Sequence, residues 1–145
     1  MPRYAFGMRS TVVGTAARAQ MSLFGIANIG GRLRECGVSN TTTTAFAIGL
    51  GRFTAATNVG AGQSEAEYDE NAPAPSMTVF AGHSGDGTLG QVLRQWSIGA
   101  AIGSGVIWTF GETGVIIQPG TANGIGPHVP TGTGQIGDDY IDWDE

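Results

Sequence analysis

Glycine is the feature that most constrains what this chain can fold into, because it makes up 25 of the 145 residues. About 7% is usual in globular proteins, and each glycine inside a helix costs roughly 1 kcal/mol relative to alanine. The glycines recur every few residues along nearly the whole chain, which leaves no room for a long helix. They keep no three-residue period, so a collagen-like structure is excluded. The composition therefore favours strands and turns.

The length and composition predict one globular domain over residues 1–145. Hydrophobic residues are 41% of the chain and recur throughout, which excludes disorder, whereas charged residues are only 13%. The uncharged stretch Gln95–Gly111 is too short and too often broken by Gly and Ser to cross a bilayer. The N-terminus lacks a basic region followed by an apolar one, so we expect no secretory signal and no membrane partner.

Strand patterns dominate the chain. Short segments rich in Val, Ile and aromatic residues are separated by turn residues, which is typical of an antiparallel β-sandwich of the jelly-roll kind. We therefore predict an all-β fold. The predicted strands are Tyr4–Met8, Met21–Ala27, Arg32–Val38, Thr44–Phe53, Met77–Phe80, Gly105–Phe110, Thr113–Gln118, Ile125–Val129 and Gln135–Trp143.

Three local patterns make sharper predictions. In Thr44–Phe53, alternation places Phe46, Ile48 and Leu50 on one face, and in Arg32–Val38 it places the arginines 32 and 34 on the same face as Cys36 and Val38. Leu89, Val92, Leu93 and Trp96 have helical spacing, but Gly90 limits Thr88–Trp96 to one short helical turn. Gly111–Gly114 fits a four-residue hairpin loop.

Two segments are predicted to extend from the domain. Residues 58–76 are long, polar and rich in acids, with Ala-Pro-Ala-Pro near their end, and long excursions on small domains are usually functional or bound to a partner. Residues 138–145 hold five carboxylates and two aromatic rings, and we expect an extended acidic C-terminal tail. Both segments are interpreted as elements that reach towards neighbouring molecules.

Charge is divided unevenly along the chain. Residues 1–60 hold six of the seven arginines and one acid, whereas residues 61–145 hold one arginine and eleven acids, and lysine is absent. This division permits one basic and one acidic surface, which would suit packing between copies. Scattered, solvated charges are the alternative. The net charge of −5 and the lack of a known module disfavour nucleic-acid binding.

Motifs that could carry chemistry lack the context that the chemistry needs. Gly132–Gly137 matches a dinucleotide fingerprint, but no helix is predicted behind it to bind phosphate. Gly82–Asp86 resembles a hydrolase elbow but ends in Asp rather than Gly. His83 and His128 are far apart, Cys36 is the lone cysteine, and the acidic tail lacks a calcium-loop pattern. We predict no catalytic residue, no cofactor, no metal site and no disulfide.

Five stretches of the sequence look familiar as text: Pro2–Phe6, Arg34–Thr42, Ala100–Gly111, Gly120–Gly126 and Trp143–Glu145. In this order, and along nearly the whole chain, they resemble small virion proteins encoded beside the head genes of tailed bacteriophages. The resemblance implies a β-sandwich that decorates or cements the capsid surface, binds the major capsid protein and its own copies as a homotrimer, assembles in the bacterial cytoplasm and has no catalytic role.

The predicted contact residues belong to the arginine-rich first half and to the two extended segments. They are Arg3, Arg9, Arg32, Arg34, Glu65, Glu67, Tyr68, Asp138, Asp139, Tyr140, Asp142 and Trp143.

The alternative function is a phage tail or fibre protein, or a carbohydrate-binding sandwich. Tyr140, Asp142 and Trp143 are the nearest approach to a sugar site in this sequence.

Overall fold

A computed structural model of the chain describes residues 1–11, 13–55, 61–85 and 87–145. Within these ranges the chain forms strands and no α-helix, so the predicted all-β class is confirmed. The strands are β1 (Arg3–Arg9), β2 (Met21–Phe24), β3 (Gly31–Asn40), β4 (Phe46–Ala55), β5 (Ala61–Gly62), β6 (Ala66–Glu67), β7 (Thr78–Ala81), β8 (Thr88–Ile98), β9 (Gly105–Thr109), β10 (Val115–Ile117), β11 (Gly124–His128) and β12 (Gly137–Asp144).

The strands form two antiparallel sheets that pack face to face as a β-sandwich. The first, here called the terminal sheet, has the order β10-β3-β12-β1-β6, and β9 also pairs with β3. The second, here called the internal sheet, has the order β5-β7-β2-β11-β4-β8. The helical turn predicted at Thr88–Trp96 is wrong, because this segment lies in β8 and pairs with β4.

The main core lies between the two sheets and is formed by alternate residues of their strands. Phe46, Ile48 and Leu50 all lie in it, as their alternation in the sequence predicts. On the terminal sheet the largest contribution comes from Tyr4 and Trp143, whose rings are 5.7 Å apart. The core is therefore continuous from the middle of one sheet to the middle of the other.

A β-bulge at Arg34 changes which face the residues of β3 occupy. Glu35 pairs with Asp142 of β12, whereas Leu33 pairs with Trp143, so Arg34 is an extra residue in β3. Leu33 and Cys36 both point into the core, and Arg32 is exposed. The predicted common face of the arginines with Cys36 and Val38 is therefore wrong, because the bulge shifts the alternation within the strand.

The edge of the terminal sheet is a strand interrupted by a loop. Both β9 and β10 pair with β3 and not with each other. The hairpin predicted at Gly111–Gly114 is therefore wrong, since this loop joins two segments that run in the same direction along one neighbour. The Phe110 amide donates to the carbonyl of Arg34, and the Gly114 amide donates to that of Phe110, which hold the loop at the edge.

Residues 138–145 do not form the predicted extended tail. Residues 138–144 lie in β12, which pairs with β1 on one side and β3 on the other, in the middle of the terminal sheet. The physical reason is alternation: Ile141 and Trp143 point into the core and are fully buried, so this segment gains more from pairing than from solvation. The C-terminal strand therefore completes the domain.

The internal sheet carries a second, smaller hydrophobic cluster on its other side. Phe24 and Phe53 are buried there beside Ala19. His128 is fully buried near them, with its ring 6.1 Å from that of Phe53. A Cβ added at Gly49 would lie 2.6 Å from Cε1 of His128, so this close approach requires glycine.

Candidate partner-binding surface

The arginines predicted to meet a neighbour's acids pair with acids of the same chain instead. Nε of Arg3 lies 3.0 Å from Oδ1 of Asp144, and Nε of Arg34 lies 3.1 Å from Oδ2 of the same carboxylate. Nε of Arg9 lies 2.7 Å from Oδ1 of Asp138, and this hydrogen bond lowers the pKa of the carboxyl. All three pairs lie on the outer face of the terminal sheet, so the charge complementarity is used within the fold.

Two tyrosines extend the polar contacts of this face. The Tyr68 hydroxyl donates to Oδ2 of Asp142 at 2.7 Å, and the Tyr140 hydroxyl donates to Oε1 of Glu35 at 2.6 Å. The Thr109 hydroxyl donates to the other oxygen of Glu35 at 2.9 Å. Burial raises the pKa of Asp142, and burial together with Glu35 raises that of Tyr140 above its usual range. The face is therefore fixed by its own hydrogen bonds.

Arg32 and Glu67 lie on separate strands of the terminal sheet. Arg32 is exposed on β3 and pairs in register with Ile116 of β10, whereas Glu67 lies on β6 opposite Tyr4 of β1. Strands β12 and β1 lie between them. They do not form one contact patch.

Two of the predicted contact residues are wrong because they are buried. Trp143 is fully buried in the core, and its indole N–H donates to Glu145. Asp139 is 2% exposed, and neither of its carboxylate oxygens has a hydrogen-bond partner among the described residues. Burial, with a smaller contribution from Asp138, raises the pKa of Asp139 to about 8. Neither side chain can contact a partner without opening the sandwich.

The described part of the predicted excursion, residues 61–76, is bound to its own domain. Oε1 of Glu65 accepts a hydrogen bond from the Val79 amide at 2.7 Å, and the Tyr4 hydroxyl donates to the carbonyl of Pro73 at 2.8 Å. The side chain of Glu145 accepts from the amide of Met77 at 2.9 Å. Residues 58–60 lie outside the described residues. The segment therefore covers one end of the sandwich instead of reaching outward.

A groove of about 790 Å³ crosses the outer face of the terminal sheet. In one row of the sheet, Ile107, Gly37, Tyr140 and Gly7 lie side by side on β9, β3, β12 and β1. The ring of Tyr140 lies over Gly37, where an added Cβ would overlap its Cε1 atom. Gly7 leaves part of the floor of the groove without a side chain, whereas Tyr140 covers Gly37, and the groove is lined mainly by apolar groups. The groove is here called the glycine groove.

Next to the glycine groove lie the exposed side chains of Gln95–Gly111, a segment of 17 residues without a charged side chain. They are here called the neutral flank. Its large apolar side chains are Trp96, Ile102 and Ile107, which are 55%, 70% and 63% exposed. Such a surface is typical of an interaction site when the side chains are contiguous.

The neutral flank also contains the open edges of both sheets. Among the described residues, β8 pairs only with β4, and β9 pairs only with β3. The two edges lie on the same side of the sandwich, where the guanidinium of Arg94 lies 5.9 Å from the ring centre of Phe110. Edge strands expose backbone donors and acceptors that can pair with another chain.

A rigid turn joins the two edges at the tip of the neutral flank. The Asn40 side-chain amide donates to the carbonyl of Gly99 at 2.9 Å, and the Ser104 hydroxyl donates to that of Ala101 at 2.7 Å. Gly103 has a φ of +85°, which glycine adopts without strain. The turn therefore holds Ile102 outward in a fixed position.

The neutral flank was not among the predicted contact residues, although the sequence carried a signal for it. Gln95–Gly111 is uncharged over 17 residues and rich in large apolar side chains. Ile98 and Trp108 are buried, Val106 and Phe110 pack against the core, and the remaining three are exposed: Trp96, Ile102 and Ile107. To identify this surface one must know that β8 pairs with β4 and that β9 pairs with β3, which the sequence alone does not show.

The catalytic motifs take on structural roles. Gly137, at the end of the dinucleotide-like motif, begins strand β12 and not a helix, so no helix N-terminus faces a phosphate there. Nε2 of His83 lies 3.1 Å from Oγ of Ser22, and both residues are buried. Ser84 is exposed in the connection between β7 and β8, and Asp86 lies outside the described residues.

Within the described ranges, no three or more His, Cys, Asp and Glu residues are grouped closely enough to hold a metal ion. The same part of the chain contains no helix with the length and hydropathy needed to cross a membrane. Cys36 is a free thiol in the core. No protein-family model, no curated protein and no solved structure matches this chain.

Proposed function

We propose that this protein is a structural protein of a tailed-bacteriophage virion, which decorates the capsid surface by binding the major capsid protein and its own copies. The neutral flank is the observation that carries the proposal. Trp96, Ile102 and Ile107 are all more than half exposed, and they belong to one uncharged segment of the chain. Interfaces are depleted in charge at their centre and enriched in aromatic residues, and this surface has both properties.

The open edges of β8 and β9 support the same proposal. A partner strand that pairs with either edge would gain main-chain hydrogen bonds in addition to apolar contacts. The polar outer face, in contrast, is already satisfied by contacts such as Arg9 with Asp138 and Tyr68 with Asp142. A contact through the neutral flank therefore removes few polar groups from water.

The test is binding of the purified chain to shells of the major capsid protein, measured by co-sedimentation. We expect the wild-type chain to bind, and Trp96→Ser to weaken binding about tenfold or more, because a large buried apolar side chain contributes about 1.5–3 kcal/mol. Ile116→Ser is the matched control, since Ile116 is 48% exposed but lies on β10, at the far end of the terminal sheet.

Loss of heat resistance in particles that lack the protein would support a cementing role. Shells that bind no wild-type chain would overturn the proposal. Removal of residues 138–145 is not a useful test, because it deletes β12 from the middle of the terminal sheet. Loss of binding would then report unfolding, so point substitutions on the surface are needed.

A tail-fibre or carbohydrate-binding role is the second candidate, and the glycine groove is what favours it. Tyr140 presents a half-buried ring there, and Asp138 lies at the rim. Trp143 is buried and offers no surface for stacking on a sugar, while Asp142 is already bonded to Tyr68. Binding in a glycan screen that Tyr140→Ala abolishes would favour this candidate over capsid decoration.

A further inference from the structure

We infer that copies of this chain bind one another by inserting Ile102 of one copy into the glycine groove of the next. The inference rests on the part of the proposed function that has the chain bind its own copies, and it assigns the contact. It starts from two features of the same molecule: an apolar side chain held out in solvent, and an apolar groove in which Gly7 leaves open space beside the ring of Tyr140.

Ile102 is prepared for insertion by the rigidity of its turn. Asn40 bonds to the carbonyls of both Gly99 and Thr44, at 2.9 and 2.8 Å, and so fixes the base of the turn. Ala101 precedes Ile102 and is exposed with it, so the tip is apolar and narrow. A side chain that is already ordered loses little conformational entropy on binding.

The glycine groove has the shape to receive this tip. Gly7 and Gly37 contribute no side chains to its floor, and Ile107 and Tyr140 form apolar walls. Its volume of about 790 Å³ leaves room for several small residues in addition to one isoleucine. The tip and the groove are therefore matched in polarity and in scale.

Charge selects a second copy as the occupant. The chain carries a net charge of −5, so two copies repel each other unless they meet through uncharged surfaces. The turn belongs to the uncharged stretch Gln95–Gly111, and the charges at the rim of the groove, Arg9 and Asp138, neutralise each other. A strongly basic or acidic partner would find no opposite charge here.

The geometry requires that the contact be between molecules. Gly103 and Gly105, which follow Ile102 in the chain, line the groove, whereas Ile102 does not line it and is 70% exposed, so it does not occupy the groove of its own molecule. One copy therefore offers a tip and a groove side by side. Such a pair of surfaces closes as a two-fold dimer or as a small ring.

The test is sedimentation equilibrium of the full chain over a range of concentrations. We expect the wild type to form a dimer or a trimer, and Ile102→Ser to raise the dissociation constant about 10- to 100-fold. Gly7→Leu should do the same by filling the groove from inside, since a Cβ at Gly7 lies 3.5 Å from Cβ of Tyr140 without a clash. Ile116→Ser should associate like the wild type.

Thermal melting of each variant separates weakened association from misfolding, because exposed Ile102 and Gly7 contribute little to the domain itself. A covalent test adds independent evidence. An equimolar mixture of the Ile102→Cys and Gly7→Cys chains should give a mixed disulfide-linked pair on oxidation, and Cys36 does not compete because it is buried. A monomeric wild type, or an Ile102→Ser chain that associates normally, overturns the inference.

The two proposals fail differently. If Ile102→Ser loses self-association but the wild type does not bind capsid shells, the contact between copies stands and the capsid role is wrong. If the wild type binds shells but sediments as a monomer even at the highest concentration, the capsid role stands and the contact between copies is wrong.

Discussion

The two sheets of this sandwich present their outer faces in opposite ways. The terminal sheet turns a hydrated face outward, in which Arg3 and Arg9 pair with carboxylates of β12. The internal sheet covers its outer face with its own chain, so that Phe24, Phe53 and His128 are buried there. One face is held by charges and hydrogen bonds, and the other by close apolar packing. The two faces should therefore respond to different perturbations.

Each sheet also buries a titratable side chain whose surroundings favour its neutral form, Asp139 in the terminal sheet and His128 in the internal sheet. Burial raises the pKa of Asp139 to about 8. Burial lowers the pKa of His128 to about 4, although the carbonyls of Gly49 and Gly126 act in the other direction. Both groups avoid charge in the folded state, and they do so in opposite pH ranges.

The largest expected effect comes from Asp139→Asn. In the unfolded chain this carboxyl ionises near pH 4, whereas the folded chain keeps its proton up to about pH 8. The stability from Asp139 is therefore full below pH 4 and is lost as the pH rises to 8, by on the order of 5 kcal/mol. The variant should lack this loss. Urea denaturation between pH 4 and 9 measures it, and an unchanged alkaline slope would contradict the burial of Asp139 as a neutral acid.

His128→Leu should have the next largest effect, with the opposite sign. The unfolded imidazole binds a proton near pH 6.5 and the folded one only near pH 4, so stability is full above pH 6.5 and falls by about 3 kcal/mol as the pH drops to 4. In the wild type the two groups oppose each other between pH 4 and 6.5. We expect a nearly flat profile there, a stability that rises with pH in Asp139→Asn, and one that falls with pH in His128→Leu.

A pair of glycine substitutions tests the packing of the two faces directly. At Gly49 an added Cβ meets Cε1 of His128 at 2.6 Å and the carbonyl of Arg94 at 3.3 Å, whereas at Gly7 the nearest atom is 3.5 Å away. Gly49→Ala should cost about 2 kcal/mol by overpacking, and Gly7→Ala should change stability by less than about 0.5 kcal/mol. Equal losses in chemical denaturation would show that the two faces are equally tight.

The smallest effects distinguish two ion pairs within the terminal sheet. The side chains of Arg34 and Asp144 are 16% and 14% exposed, whereas those of Arg9 and Asp138 are 65% and 49% exposed. Arg34→Gln should cost about 1 kcal/mol, because its partner is poorly hydrated. Arg9→Gln should leave the melting temperature unchanged, since solvent and salt screen the exposed pair. A larger loss for Arg9→Gln would reverse this ranking.

The strands were largely predictable from the sequence because alternation is a local signal. Phe46, Ile48 and Leu50 show it, and so do Ile141 and Trp143. The alternation of Ile141 and Trp143, continued two residues towards the N-terminus, places Asp139 in the interior as well. The charge of an aspartate would instead predict an exposed side chain. The segment of β8 is the exception, because the spacing of its apolar residues suits a helix while its pairing with β4 makes it a strand.

The partner-binding surface was less predictable because it depends on pairing between distant segments. The bulge at Arg34 arises from the register between β3 and β12, and β9 and β10 both pair with β3. Neither feature is visible in the local sequence. The sequence shows that the arginines and acids exist, but only the register shows that Arg9 faces Asp138. Because these charges pair within the chain, the uncharged stretch that contains Ile102 remains as the candidate partner-binding surface.

The position of β12 determines when the terminal sheet can fold during synthesis of the chain. β12 lies between β1 and β3, with Arg3 opposite Asp144, so during synthesis the terminal sheet lacks its middle until residues 137–144 have left the ribosome. A chain that has not yet made β12 therefore exposes much of its core and cannot present a finished surface to any partner.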